Sequence, residues 1–198
     1  MIIFLIMKRP KIDLKKFMVY FIAFIMISSA FAVIFYGFAD QTTSLKYEGI
    51  TFTKSNIGWD SKIDGKRYSF YYHPSEVEFI NVSDRVLEKI ASYQLDMTSD
   101  SESEFKDTIA LVEYDLSTLL NSNYNVFSRT GFINENEFYL PIFNCSMATE
   151  DIPVIYFTFS NATSVSLKDN CIVVEARNDP DFLRIKDRLV YGLLSVIS

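Results

Sequence analysis

His73 is the only histidine in 198 residues, so any imidazole acid or base must be this one. It stands in Tyr71-Tyr72-His73-Pro74-Ser75-Glu76, where a strand would end and hand over to a turn, a position that can hold functional side chains. Paired with a carboxylate from Glu76, Glu78, Asp96 or Glu113, it would activate water for hydrolysis. No nucleophile motif accompanies it. G-x-S-x-G, H-E-x-x-H, the P-loop and the Rossmann glycine pattern are all absent, and six glycines leave little for a loop that cradles phosphate. The plainer reading has His73 bonding a turn backbone and packing on its tyrosine neighbours. No cofactor is expected.

The other reactive side chains are Cys145 and Cys171. A reactive thiol needs a cation or histidine beside it to lower its pKa, and neither cysteine has one nearby in sequence. Two cysteines and one histidine also make no metal-ligand spacing, so a metal site is not expected. A Cys145–Cys171 disulfide is the expectation, provided the segment lies in an oxidising compartment. Asn81, Asn144 and Asn161 each begin an Asn-x-Ser/Thr acceptor for glycosylation, with Asn161 in a turn between strands and Asn144 abutting the bridge. Asp96, Asp100, Glu102, Glu104 and Asp107 do not match an EF-hand loop; acids at a helix start are favoured there by the helix dipole.

The compartment follows from the N-terminal residues. Residues 1–39 carry Lys8, Arg9, Lys11, Lys15 and Lys16 against Asp13 alone, while residues 40–198 carry 14 basic and 24 acidic side chains. Residues 17–39 are 23 in a row without a charge. As a helix they would reach about 34 Å, enough to cross a bilayer core with slight tilt. The cations in front of this stretch predict a cytoplasmic N-terminus and an exported C-terminal part, by the positive-inside rule. Cleavage after Ala39 is the competing reading, since Gly37 and Ala39 are small, but a signal peptide's apolar region is typically about 7–15 residues and this one is longer. Met7 is an alternative start.

The chain thus divides into a basic leader (1–16), a signal-anchor helix (17–39) that contacts the lipid bilayer, a tether (40–48) and an exported domain (49–198). Without residues 1–39, hydrophobic residues number 68 of 159, ordinary for a globular domain. Its acidic balance disfavours nucleic acid as a partner.

Within the domain, Asp64-Gly65 between alternating aromatic flanks predicts a β-hairpin over 57–72. A short helix over 83–90 and a strand over 93–98 should follow. Ser101 with Glu104 fits a capping box for a helix carrying Ile109, Val112, Leu116 and Leu119, and residues 124–129 can return as a strand, closing a β-α-β unit. Strands over 153–159, 164–168 and 171–176 precede a last helix capped by Asp179, with Pro180 at its first position. Asp187 and Arg188 fall opposite its Phe182, Ile185 and Leu189 face, which predicts surface ion pairs with neighbours such as Arg184. The fold class is mixed α/β, with helices packed on a sheet.

Residues 70–78 (FYYHPSEVE), 170–176 (NCIVVEA) and 182–194 (FLRIKDRLVYGLL), with the 145–153 segment, resemble a group of small archaeal proteins that pair one N-terminal membrane helix with an exported α/β domain. The likeness implies architecture and an archaeal cell membrane rather than an activity. The expected function is therefore a single-pass cell-envelope protein whose exported domain binds or assembles with another envelope protein or a polysaccharide. The alternative is an extracytoplasmic hydrolase built on His73.

Overall fold

Two tight turns shape the first part of the domain. Glu48-Gly49 and Asp64-Gly65 all have positive φ (46°, 82°, 50° and 82°), the arrangement whose twist matches that of a two-residue hairpin. In the computed structural model, which describes residues 14–37 and 43–197, these turns join β1 (Ser44–Tyr47) to β2 (Ile50–Lys54) and β3 (Trp59–Ile63) to β4 (Lys66–Phe70). The four strands form one antiparallel sheet in chain order, with Phe52, Trp59, Ile63 and Phe70 buried on one face. Gly58 lets β3 approach β4: a Cβ there would lie 2.0 Å from the Phe70 carbonyl oxygen. The expected 57–72 hairpin is present, shortened at both ends. Ser44 to Tyr47, expected within a tether, is instead strand β1.

The second sheet has five strands in the order β6-β5-β7-β9-β8. β5 (Gln94–Ser99), β6 (Phe127–Phe132), β7 (Val154–Phe159) and β9 (Cys171–Ala176) run parallel, and β8 (Ser164–Lys168) is antiparallel to β9. After α2 (Asp84–Ile90), the expected β-α-β unit is realised as β5, α3 (Lys106–Tyr124) and β6. Its helix starts later than the capping box implies. Phe105 is the N-cap, without a side-chain cap bond, and Ser101 instead takes Asn134 Oδ1 on its N–H at 3.1 Å. Helix α4 (Asp179–Leu193) is capped by Asn178, whose side chain accepts the Asp181 N–H at 3.0 Å, so Asp179 is already helical.

Ile109, Val112, Leu116 and Leu120 of α3 and Phe182, Ile185 and Leu189 of α4 share one buried cluster with Leu95, Met97, Ile155, Ile172 and Val174 of the parallel strands. The same cluster contains Phe52, Trp59 and Phe70 of the antiparallel sheet. Tyr191 of α4 stacks on Phe70 with ring centroids 4.2 Å apart and meets Phe52 edge-on at 5.9 Å. Helix α4 is thus covered on more than its apolar stripe, and Lys186, Asp187 and Arg188 are buried. The expectation of surface ion pairs for Asp187 and Arg188 is wrong because the antiparallel sheet and the segment that follows it cover the face assigned to water, where Asp187 accepts the Tyr72 N–H and Arg188 donates to the Ile80 carbonyl.

The chain divides after Thr42 into two units. The first contains α1 (Leu14–Gly37), a helix of 24 residues whose side chains are described at 15–29 and 31. Among the described residues no helix is long and apolar enough to cross a membrane. Residues 1–13 and 38–42, with much of the leader, the Ala39 position and part of the tether, lie outside the described residues.

Candidate functional site

Strand β4 is an edge of its sheet. A two-residue turn makes Ile63 and Lys66 the closing hydrogen-bonded pair, and the ladder then alternates through Lys62–Arg67, Ser61–Tyr68, Asp60–Ser69 and Trp59–Phe70. Lys66, Tyr68 and Phe70 therefore spend their backbone groups on β3, while Arg67 and Ser69 turn their N–H and C=O groups to the free side. Along that side runs a groove of about 550 Å³. It is lined by every residue from 66 to 71; since side chains of a strand alternate between faces, contact with an unbroken run means that the groove follows the strand's edge.

The opposite wall is a stripe of α3 at helical spacing, Tyr114, Thr118 and Ser122, with Asp115 and Leu119 beside it. Tyr114 is 68% exposed, the kind of large accessible ring that marks contact surfaces. Lys66 bridges to α3 by donating to Asn123 Oδ1 at 2.8 Å. Lys186 of α4 lies 4.6 Å over the Tyr71 ring, 2.6 Å from Asp187 Oδ1 and 3.6 Å from Asp115 Oδ2. Burial, and next the Asp115 carboxylate, keep the Tyr71 phenol protonated above its usual range.

Beneath the groove, Asp187 sets where β4 stops. Its Oδ2 accepts the Tyr72 N–H at 2.8 Å, and the Tyr191 hydroxyl donates to the Tyr72 carbonyl at 2.7 Å. Burial raises the Asp187 carboxyl to about 6, against the opposing pull of Lys186 and the Tyr71 and Tyr72 N–H groups. Sequence reasoning missed this arrangement. Its one signal was a Lys-Asp-Arg run inside an apolar helix, which reads as solvated when the covering sheet is unknown.

The hydrolase residues do not converge. The His73 ring is buried between Trp59, at 5.0 Å between centroids, and Phe52, at 5.2 Å. Its Nδ1 is 2.8 Å from Ser75 Oγ, and its Nε2 is buried with no hydrogen-bond partner among the described residues. Burial lowers its pKa, against weaker upward pulls from Glu76 and Glu78. Glu76 accepts the His73 backbone N–H at 2.7 Å, in a capping box. Glu78 accepts from the Tyr47 hydroxyl at 2.8 Å. Asp96 receives two bonds from Arg129, at 2.8 and 2.7 Å.

Glu113, the fourth carboxyl, lines a separate cavity of about 320 Å³ between α3 and β6, among Ser117, Ser128 and Thr130. Ser117 and Ser128 share a hydrogen bond there. Burial pushes Glu113 up to about 8, and its Oε1 has no hydrogen-bond partner among the described residues. At neutral pH this is a protonated acid, suited to donating a hydrogen bond.

Cys145 and Cys171 are joined in a disulfide, with Cα atoms 5.2 Å apart. Of the acceptor asparagines, Asn81 and Asn161 are exposed. Asn144 is engaged as the cap of a short 3₁₀ turn, accepting the Ser146 N–H at 3.0 Å. Thr163, the third residue of the Asn161 acceptor, bonds Asp181 Oδ2 at 2.5 Å. No family model, curated protein or solved structure matches the chain.

Proposed function

We propose that this chain is a single-pass, membrane-anchored cell-envelope protein, cytoplasmic at its N-terminus, whose exported domain binds another envelope component in the groove between β4 and α3. One observation carries the binding role: a groove of about 550 Å³ flanked by unspent backbone groups and by an exposed tyrosine. The anchor rests on the uncharged run at 17–39 behind five cations, and export accords with the disulfide, since such bonds persist in oxidising compartments. The hydrolase alternative lacks comparable support, because the ring of His73 bonds none of the four candidate carboxylates and is enclosed by aromatic rings.

The test has two parts. Full-length chain in its native membrane should stay in the pellet after carbonate extraction, and its C-terminal domain should be cut by protease added to intact cells. Recovery in the soluble fraction, or protection of the domain, would contradict the anchor. Thr118 is exposed, so Thr118→Trp fills the groove without touching the core. Partners that co-purify in mild detergent should be lost from this variant; an unchanged set would place binding elsewhere.

A further inference from the structure

Resting on the reading of this groove as the binding surface, we infer that its occupant is an extended, acidic segment of another polypeptide, which adds as a fifth strand along β4. Arg67 and Ser69 present two N–H donors and two C=O acceptors at strand spacing on the groove side, the template that β-strand addition requires. With a helix as the opposite wall, side chains of the added strand that point toward α3 would meet Tyr114, Thr118 and Leu119.

Charge selects the sign of the segment. The part of the chain from residue 40 onward carries 24 acids against 14 bases, yet the lip of the groove carries Lys66 and Arg67, both exposed. Lys186 is already matched by Asp187 and Asp115. A carboxylate-bearing strand complements the two lip cations, and a basic one is repelled. A second copy of β4 brings Lys66 and Arg67 of both copies together when paired in parallel or antiparallel about Arg67, and the antiparallel register about Tyr68 supplies no carboxylate to either pair. A glycan fits less well. Tyr114 offers an open ring, but a sugar has no regular row of N–H and C=O groups to match those that Arg67 and Ser69 present at strand spacing.

The test uses full-length chain in detergent micelles and a fluorescein-labelled decapeptide alternating Glu and Val, read by anisotropy. Saturable binding is expected, at least tenfold tighter than for the Lys/Val counterpart. N-methylation of alternate peptide nitrogens should weaken one of the two methylated registers at least tenfold, with the protein untouched. Ser69→Pro removes a donor on the free edge without breaking a backbone bond to β3 and should weaken binding similarly, whereas Ser69→Ala, which loses only the hydroxyl's bond to Asp60, should not. Arg67→Glu, which leaves Lys66 balanced by a carboxylate, should abolish the preference between the two peptides. Hydrogen exchange should slow at Arg67 and Ser69 on binding.

Absence of saturable binding overturns the proposal. So does indifference to both methylated registers, or a preference that survives Arg67→Glu. Binding of a hexasaccharide that Thr118→Trp abolishes would also overturn it, while leaving the groove as a binding site. If partners of the full chain co-purify unchanged with Thr118→Trp, both readings fall.

Discussion

Asp187 accepts the backbone N–H of Tyr72 at 2.8 Å, joining the end of β4 to α4 across 115 residues of sequence. The carboxylate is fully buried and shares its charge with Lys186 at 2.6 Å. Breaking one half of a buried pair costs far more than the pair contributes net, because the remaining charge keeps its desolvation penalty. Asp187→Ala should therefore destabilise the domain by about 3–5 kcal/mol. Lys186→Met with Asp187→Asn should cost clearly less than Asp187→Ala, since no charge is then stranded. Urea unfolding followed by the emission of Trp59, the only tryptophan, measures both; equal losses in the two variants would remove the pairing from the account.

Glu113 makes the stability of the domain fall as pH rises. Its folded pKa is raised from 4.5 to about 8 by burial, so the folded state holds a proton that the unfolded chain has released. The associated stability is complete below pH 4.5 and is lost as pH climbs through 8. At about 1.4 kcal/mol per pH unit the change is on the order of 5 kcal/mol. Asp187, raised from 3.8 to about 6, acts in the same direction over a lower window. Glu113→Gln should match the parent near pH 4 and exceed its stability at pH 8.5. A difference that does not grow with pH would show that Glu113 is not a buried neutral acid.

What could be read from residue order, and what could not, follows from the range of each signal. The Asp64-Gly65 hairpin, the last three strands and the β-α-β unit rest on local turn chemistry and periodicity, and all are present. The groove was not legible, because its walls are a strand edge and a helix about 50 residues apart, and neither carries a motif. Asp187 failed for a related reason. A helix wheel supplies one apolar face, and the second covering sheet depends on β1 and β2, whose residues read as a tether and an unassigned segment. Ser101 failed as a cap because Asn134 and Glu135, distant in sequence, take its N–H and its hydroxyl.

His73 should act on stability from the acid side. Burial holds its pKa below 6.5, so the unfolded chain takes up a proton that the folded ring refuses. Its contribution is present above pH 6.5 and is lost as pH falls below it. Asparagine can accept the Ser75 N–H as the imidazole Nδ1 does, so His73→Asn keeps the cap without the titration. The stability of the parent minus that of this variant should shrink between pH 7 and pH 5. A constant difference would mean that His73 does not titrate against folding.

The Cys145–Cys171 bridge closes a separation of 26 residues that contains β7 and β8. Cys171 is buried on β9, whereas Cys145 is exposed in its 3₁₀ turn, so dithiothreitol can reach the bond in the folded protein. Loop-closure entropy for this length is worth about 3 kcal/mol, mostly through the unfolded chain. Reduction should lower the urea midpoint by the corresponding amount without changing the Trp59 emission of the native state, because Trp59 lies in the other sheet. The Cys145→Ser, Cys171→Ser double variant should behave like the reduced parent and be insensitive to dithiothreitol. A midpoint unmoved by reduction would mean that the segment from Cys145 to Cys171 is held by packing alone.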